Sequence, residues 1–441
     1  PPGKEVPMAK APDVSKLKRA LMRSNTRLLL SAVLLFQFAA CLLLALKTQP
    51  LDTQALLFAV AVFLTTCLFS TLITRLWPVD RAIIILTLLL CSIGIITLKA
   101  IAKSPTTPGT QAKYALLGLV AMGLGMGFIR LMRRPGKGLT LAMMALCLLA
   151  LMTPWVLGSW KDGARNWILL FGGRVSLQPS EFMKPVFLLV LASGMSNRPR
   201  FLRTLPTLAF AAACCGILLS QRDLGALLIY FLSTVAVFFV ATSNGFLTLA
   251  GLGMGAGAGY LAYRALPYVQ RRFAMWKDPW SDPENYGYQL VQALIAIGSG
   301  GLFGMGLGLG SPRDIPLYHS DFIFAALTEE FGLVFSVCLL ILYVLIIMRG
   351  LIAAMNARTS FHSLAAFGVV AMLGLQTMLI VGGNTQLLPL TGVTLPLISS
   401  GGSSLVSTFF ALGMLCGITS LNTEDEARDI EQIEIRQEAM L

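Results

Sequence analysis

Apolar residues gather along this chain into twelve blocks, at 27–46, 53–74, 82–101, 114–131, 138–158, 182–196, 204–220, 225–242, 245–266, 322–348, 361–383 and 403–420. Most approach the roughly 20 residues that cross a bilayer as a helix. The pattern predicts an all-α fold, a polytopic membrane helical bundle. Two polar intervals are too long to be turns, at about 159–181 and about 267–321. Long ordered loops on a membrane scaffold usually carry function. The second is rich in glycine, with seven of the thirteen residues from Gly298 to Gly310. Backbone there can bend tightly or approach a ligand closely.

Composition agrees with the pattern. The chain is 56% apolar and only 12% charged, with a mean hydropathy of +0.75, whereas soluble domains carry about 25% charge. The net charge of +13 is read as Lys and Arg in cytoplasmic loops and not as a nucleic-acid surface. "RLMRRPGK" and "NRPRFLR" are short and basic, while "KTQPLD" is nearly neutral, which places both termini in the cytoplasm and the two long loops outside. The basic N-terminal tail suits anionic lipid. The acidic tail "NTEDEARDIEQIEIRQEAML" reads as a short solvated helix, disorder or a docking segment. No block has signal-peptide form, so the first span is expected to remain as an anchor, and the initial Pro1 suggests a trimmed chain.

All eight cysteines fall in apolar blocks and read as packing residues. Only His319 and His362 are present, which excludes a histidine-rich metal site. No spacing fits a dinucleotide fingerprint or Walker loop, so no nucleotide is expected.

Ionisable residues at membrane depth are costly and mark candidate sites. Glu181 and Lys184 in "QPSEFMK" lie three apart on one helical face, as a structural pair or a substrate contact. Asp223 in "QRDLG" caps the following helix or does chemistry. Asp321 in "HSDFIFAALTEEFG" stands one residue before an apolar run, where it too could cap. Glu329 and Glu330 lie roughly 12 Å further along the helix, and one groove could expose Asp321 and Glu329 together. Carboxylates lining a bundle fit a transporter. An outer carboxylate below a glycine-rich loop and the cations Arg271 and Arg272 fits an enzyme acting on a phosphorylated lipid. These residues alone leave both open.

The motifs, in order, resemble one family closely: "GARNW", "QPSEFMK", "QRDLG", "RRF", "DPENYGYQLVQALIAIGSGGLFGMGLG", "HSDFIFAALTEEFG" and "LLPLTGVTLPLISSGGSS". It is the SEDS (shape, elongation, division and sporulation) family of RodA/FtsW-like proteins. Departures from its usual pattern are Asn166 for arginine, Arg222 for proline, Leu317 for glutamate and Ser400 for tyrosine. The resemblance implies a ten-helix core over 82–420, after a basic tail (1–26) and an additional hairpin (27–74), and before an acidic tail (421–441).

It further implies a peptidoglycan glycosyltransferase that polymerises lipid II, a disaccharide-pentapeptide on undecaprenyl diphosphate, into glycan strands at the outer face of the bacterial cytoplasmic membrane. A lipid II flippase is the alternative. The family's essential aspartate matches Asp321, the expected general base. Trp167, Glu181, Lys184, Asp223, Arg271, Arg272, Gln289, Gln292, Glu329 and Ser399 are candidates for binding substrate or its diphosphate. A divalent cation, Mg or Mn, suits the diphosphate, with Asp321 a candidate ligand. Lid motion in the glycine-rich loop would let the growing strand shift by one unit per cycle. The implied partner is a class B penicillin-binding protein, a transpeptidase.

Overall fold

The computed structural model describes residues 14–46, 53–102, 106–132, 135–161, 164–170, 175–196 and 201–438. Residues 1–13, the "KTQPLD" turn, and the arginines of the basic loops at 133, 134, 198 and 200 lie outside the described residues.

Each of the twelve apolar blocks falls on a helix. In chain order these are α1 (Val14–Leu46), α2 (Thr53–Leu76), α3 (Arg81–Ile101), α4 (Thr106–Leu131), α5 (Lys137–Leu157), α6 (Pro179–Met195), α7 (Phe201–Ser220), α8 (Leu224–Thr242) and α9 (Gly245–Ala265). The outer loop supplies α10 (Pro267–Lys277) and α11 (Tyr288–Gly300), and the chain ends with α12 (Ile323–Met355), α13 (Ser360–Asn384) and α14 (Gly402–Glu438). Among the described residues ten helices are long and apolar enough to cross a membrane. The other two of the predicted twelve are shorter: α2 is apolar over Val60–Leu76, and α6 has 17 residues with Glu181 in its first turn.

The bundle centres on α3, which is buried along nearly its whole length. Asp80 starts it by accepting a hydrogen bond from the Ala82 amide at 3.0 Å and is itself ion-paired with Arg349 of α12. The extra hairpin packs on α3 and is zipped at depth by Gln37 donating to Thr66 at 3.1 Å. The α4–α14 contact is a backbone approach. A Cβ on Gly125 would lie 2.3 Å from the Phe410 carbonyl oxygen, and one on Gly413 would lie 2.2 Å from that of Met122. Small residues in membrane helices permit such contact. At the other extreme, α9 buries none of its residues.

Three features add to the sequence reading. The first long loop forms a small antiparallel sheet, β1 (Ser159–Lys161), β2 (Ala164–Leu170) and β3 (Val175–Leu177), in the order β1-β2-β3. The basic N-terminal segment is a helical extension of the first span from Val14 onward. The acidic tail is neither disordered nor separate, since α14 runs unbroken to Glu438. Glu424 pairs with Arg130 at 2.8 Å, and Asp425 and Asp429 approach Arg358 at 3.5 and 3.6 Å.

The glycine-rich stretch is no free lid. Gly332, at φ +83°, breaks α12, which leaves helical carbonyls and amides without partners. The stretch supplies them: Met305 and Gly306 amides donate to the Glu329 and Glu330 carbonyls at 2.8 and 3.0 Å. In return Leu333 and Val334 amides donate to the Gly301 and Leu302 carbonyls at 2.9 and 3.1 Å. A Cβ at Gly304 would sit 2.3 Å from the Glu330 carbonyl oxygen, so only glycine fits this seam.

Candidate active site

The segment between α13 and α14, "LLPLTGVTLPLISSG", runs without regular structure through the bundle. Backbone like this survives at membrane depth only when its polar groups find partners in protein. Side chains from four helices provide them. Arg272 of α10 donates to the Leu390 carbonyl at 3.0 Å, and Gln376 of α13 donates to that of Thr394 at 2.8 Å. Tyr343 of α12 donates to the Pro396 carbonyl, and Gln111 of α4 donates to that of Ser399 at 2.9 Å. The segment is thereby a fixed spine.

Asp321 lies against this spine. A Cβ at Gly392 would touch its Oδ2 at 3.5 Å, and Gly392 has φ +70°, so glycine leaves room beside the carboxylate. The backbone leading to Asp321 is also held. Ser399 Oγ donates to the Ser320 carbonyl at 2.7 Å, and the Ser400 amide donates to that of His319 at 2.8 Å. Leu317, at φ +56°, makes the turn, with its carbonyl accepting from Ser320 and Phe322. The sequence leaves helix capping open as Asp321's role. The observed N-cap of α12 is Phe322, with no side-chain cap from that residue. The amide of Ala325 is taken instead by Asn384 Oδ1 at 3.2 Å, and Asn384 Nδ2 donates to the Asp321 carbonyl at 2.8 Å.

The two arginines separate. Arg271 is exposed and reaches Tyr286, its guanidinium 5.2 Å from the ring centre and its NH1 3.3 Å from the hydroxyl. Arg272 turns inward, half-buried, near Asp223 and Asp321. Burial pulls its guanidinium below the usual range, and the two aspartates pull it back up.

Asp223 does cap. Its Oδ1 accepts from the Ala226 amide at 3.0 Å, at the start of α8. Its Oδ2 accepts from Asn166 at 2.7 Å, Gln178 at 3.1 Å and Ser180 at 3.4 Å, which ties the sheet to α6 and α8. Asn166, one of the departures, is therefore a partner of Asp223. Arg222 is another, and it holds φ +62°, which proline's ring forbids.

Lys184 and Glu181 form a buried pair at 2.7 Å. Lys184 also donates to Gln376 at 2.8 Å, and Thr394, whose carbonyl Gln376 holds, donates to Ser404 at 2.8 Å. This polar chain ends on the same spine that carries Gly392.

The remaining candidates lie apart. Glu329 accepts from the Ser311 amide at 2.9 Å, and Glu330 accepts from that of Gly308. Both bind the glycine-rich stretch, so the shared groove expected for Asp321 and Glu329 is occupied by backbone. Gln289 and Gln292 sit half-exposed on α11. Trp167 is half-exposed on β2, alternating with buried Asn166 and Ile168. Ser399 acts through the backbone of Ser320. The sequence reading missed Asn384, Gln376, Thr394 and Gln111; of these only Gln376 carried a signal, as a lone Gln within an apolar block.

A profile described as "Cell cycle protein", that of the FtsW/RodA/SpoVE proteins, matches residues 79–424. The chain belongs to this family. Its FtsW/RodA/SpoVE core begins after the hairpin α1–α2. Relatives include the peptidoglycan glycosyltransferase RodA of Mycobacterium tuberculosis, 36% identical over 330 residues, covering 70% of this chain and 69% of that protein. The stage V sporulation protein E of Bacillus subtilis is 32% identical over 358 residues, covering 77% of this chain and 96% of that one. Among solved structures, a peptidoglycan synthase complex, described as coordinating polymerization and crosslinking, superposes with a TM-score of 0.66. Its matched chain is 28% identical, with 78% of this chain and 98% of that one covered. RodA of Thermus thermophilus has a TM-score of 0.58 at 29% identity, over 77% and 96% of the two chains.

Proposed function

We propose that this member of the FtsW/RodA/SpoVE family polymerises lipid II into glycan strands, with Asp321 as general base. One observation carries the assignment: three backbone grips, on the carbonyls of His319, Ser320 and Asp321, place Asp321 at the helix lip beside the space left by Gly392. The acceptor hydroxyl gives its proton to Asp321 as its oxygen attacks the anomeric carbon and the bond to the lipid diphosphate breaks. Arg272 faces the charge that gathers on the departing diphosphate. Transfer proceeds with inversion and needs one base and no covalent sugar–enzyme intermediate.

No three Asp, Glu, His or Cys side chains converge into a metal cage among the described residues. The donor set still suits Mg or Mn, because such an ion takes one or two carboxylates together with phosphate oxygens and water. Asp321, beside the space left by Gly392, is the carboxylate that would hold it. When bound, the ion supplies charge neutralisation for the diphosphate.

The reading places the 267–321 loop on the outer face and both termini in the cytoplasm, supported by the basic short loops. It also assigns a class B penicillin-binding protein as partner, supported by the likeness to a synthase complex that joins polymerization to crosslinking.

Asp321→Asn tests the base. Asn keeps the shape, and Asn384 still caps α12, so the variant folds and binds lipid II. Polymerisation on gels falls by roughly 10²–10⁴-fold. Normal strand synthesis by folded Asp321→Asn would remove Asp321 from the mechanism.

A further inference from the structure

The start of α12 poses a conflict between structure and chemistry. Asp caps helices well, and an Asp one residue before the first turn can swing onto its free amides. A carboxylate so engaged is a poor base, since its lone pairs are spent and its direction is fixed by the helix. Phe322, the N-cap, offers no acceptor. Without another acceptor nearby, Asp321 is the local group that would fill the gap.

Asn384 is the last residue of α13, fully buried, and comes to α12 from outside. Its Oδ1 accepts from Ala325, the third residue of α12, whose amide an N-cap side chain normally takes. Its Nδ2 donates to the Asp321 carbonyl at 2.8 Å and to the Ile380 carbonyl at 3.0 Å. The amide orientation follows from these partners. The reverse orientation would set an oxygen against two carbonyls and an NH₂ against an amide, losing all three bonds.

We infer that Asn384 is a positioning residue for Asp321: it takes the Ala325 amide at the start of α12 and clamps the Asp321 carbonyl, which fixes the backbone from which the carboxylate meets the spine at Gly392. The inference rests on Asp321 being the base. Asn384 does not touch substrate; it acts through the backbone of its neighbour.

Its test uses the full-length purified chain, measuring kcat and KM for lipid II polymerisation beside thermal unfolding. Asn384→Ala is expected to lower kcat roughly 10–100-fold, the scale of a misplacement near 1 Å, with KM nearly unchanged. Asn244→Ala is the control. It removes a cap of the same kind, on the Leu247 amide at 3.0 Å, from exposed and remote α9, and should leave kcat intact. Asn384→Asp keeps the acceptor for Ala325 but sets its second oxygen against two carbonyls, so it should lower both the unfolding temperature and kcat. In the Asp321→Asn background, Asn384→Ala should add no further loss.

Wild-type kcat in folded Asn384→Ala or Asn384→Asp would overturn the inference, as would a loss confined to KM or an equal loss in Asn244→Ala. A full multiplicative loss on top of Asp321→Asn would also overturn it. Failure of both Asn384 variants to fold would mark the residue as structural only. Activity in Asp321→Asn itself is a different result, which strikes the base and not the clamp.

Discussion

Lys184→Met should destabilise the protein sharply, and a second change at Glu181 should repair it. The pair is 2.7 Å apart with side chains 6% and 8% exposed, so loss of the cation strands a carboxylate away from water. Removing one partner of such a pair costs about 3–5 kcal/mol. Gln376 loses its donor as well, about 1 kcal/mol more. Glu181→Gln with Lys184→Met removes the stranded charge, and neutral replacements of buried pairs often match the original stability. The charge-reversed pair, Glu181→Lys with Lys184→Glu, should fall between. It restores the ion pair but sets a carboxylate against Gln376 Oε1. Turning that amide breaks its bond to Thr394, a net loss of about 1–2 kcal/mol. Thermal unfolding in detergent gives the order wild type, neutral double, reversed double, single. Polymerisation by the neutral double decides the role: with two Lys184 donors already engaged by protein, activity should stay within about 10-fold, below the usual loss of an acid–base group. A stable but inactive neutral double would refute this and make Lys184 a diphosphate contact. A wild-type unfolding temperature in Lys184→Met would refute the buried pair.

Arg272→Gln should cut polymerisation by roughly 10²-fold, the scale of losing an oxyanion contact, whereas Arg271→Gln should leave it near wild type; equal effects would show that facing inward does not matter. Gly332→Ala should unfold the α12 seam, because its Cβ would meet the Gly304 amide nitrogen at 2.4 Å in a left-handed backbone, and a stable variant would contradict the packing. In cells, single cysteines at Ser281 and Glu424, in a cysteine-free background, should react oppositely with an impermeant thiol reagent, and outside labelling of Glu424→Cys would reverse the topology.

Much of the fold is legible in the chain because lipid makes one overriding demand: the backbone must satisfy its own polar groups. Every apolar block is a helix, since lipid leaves backbone no other partner. Asp223 is readable as a cap because its partner lies three residues away, and Glu181–Lys184 because both stand on one helix. Asn384, which takes the Ala325 amide and the Asp321 carbonyl, is not legible beside Asp321 because it is 63 residues distant, and local pattern carries no such information. The sheet at 159–177 escapes the apolar-block pattern, although "NWILL" and "RVSL" flank a Gly-Gly pair, which is a hairpin signal. The acidic tail looks solvated and is largely exposed, yet Glu424 and Asp425 find Arg130 on α4 and Arg358 in the turn between α12 and α13, which the local pattern does not show. Glu329 looks available for the site because the sequence does not show that the glycine-rich backbone folds onto it.

The seam at Gly332 also governs how the chain enters the bilayer. Released singly, α12 would carry exposed amides and carbonyls about 14 Å below its first residue, given 1.5 Å per residue. Each unsatisfied group in hydrocarbon costs several kcal/mol. Residues 301–306 hold the missing partners and lie upstream of α12 in the same outer loop. The glycine-rich stretch and α12 therefore form one insertion unit, handed to lipid together or retained together by the machinery that threads the chain. A lesion in either half becomes a defect of biogenesis before it is a defect of catalysis, and it should appear first as degraded protein.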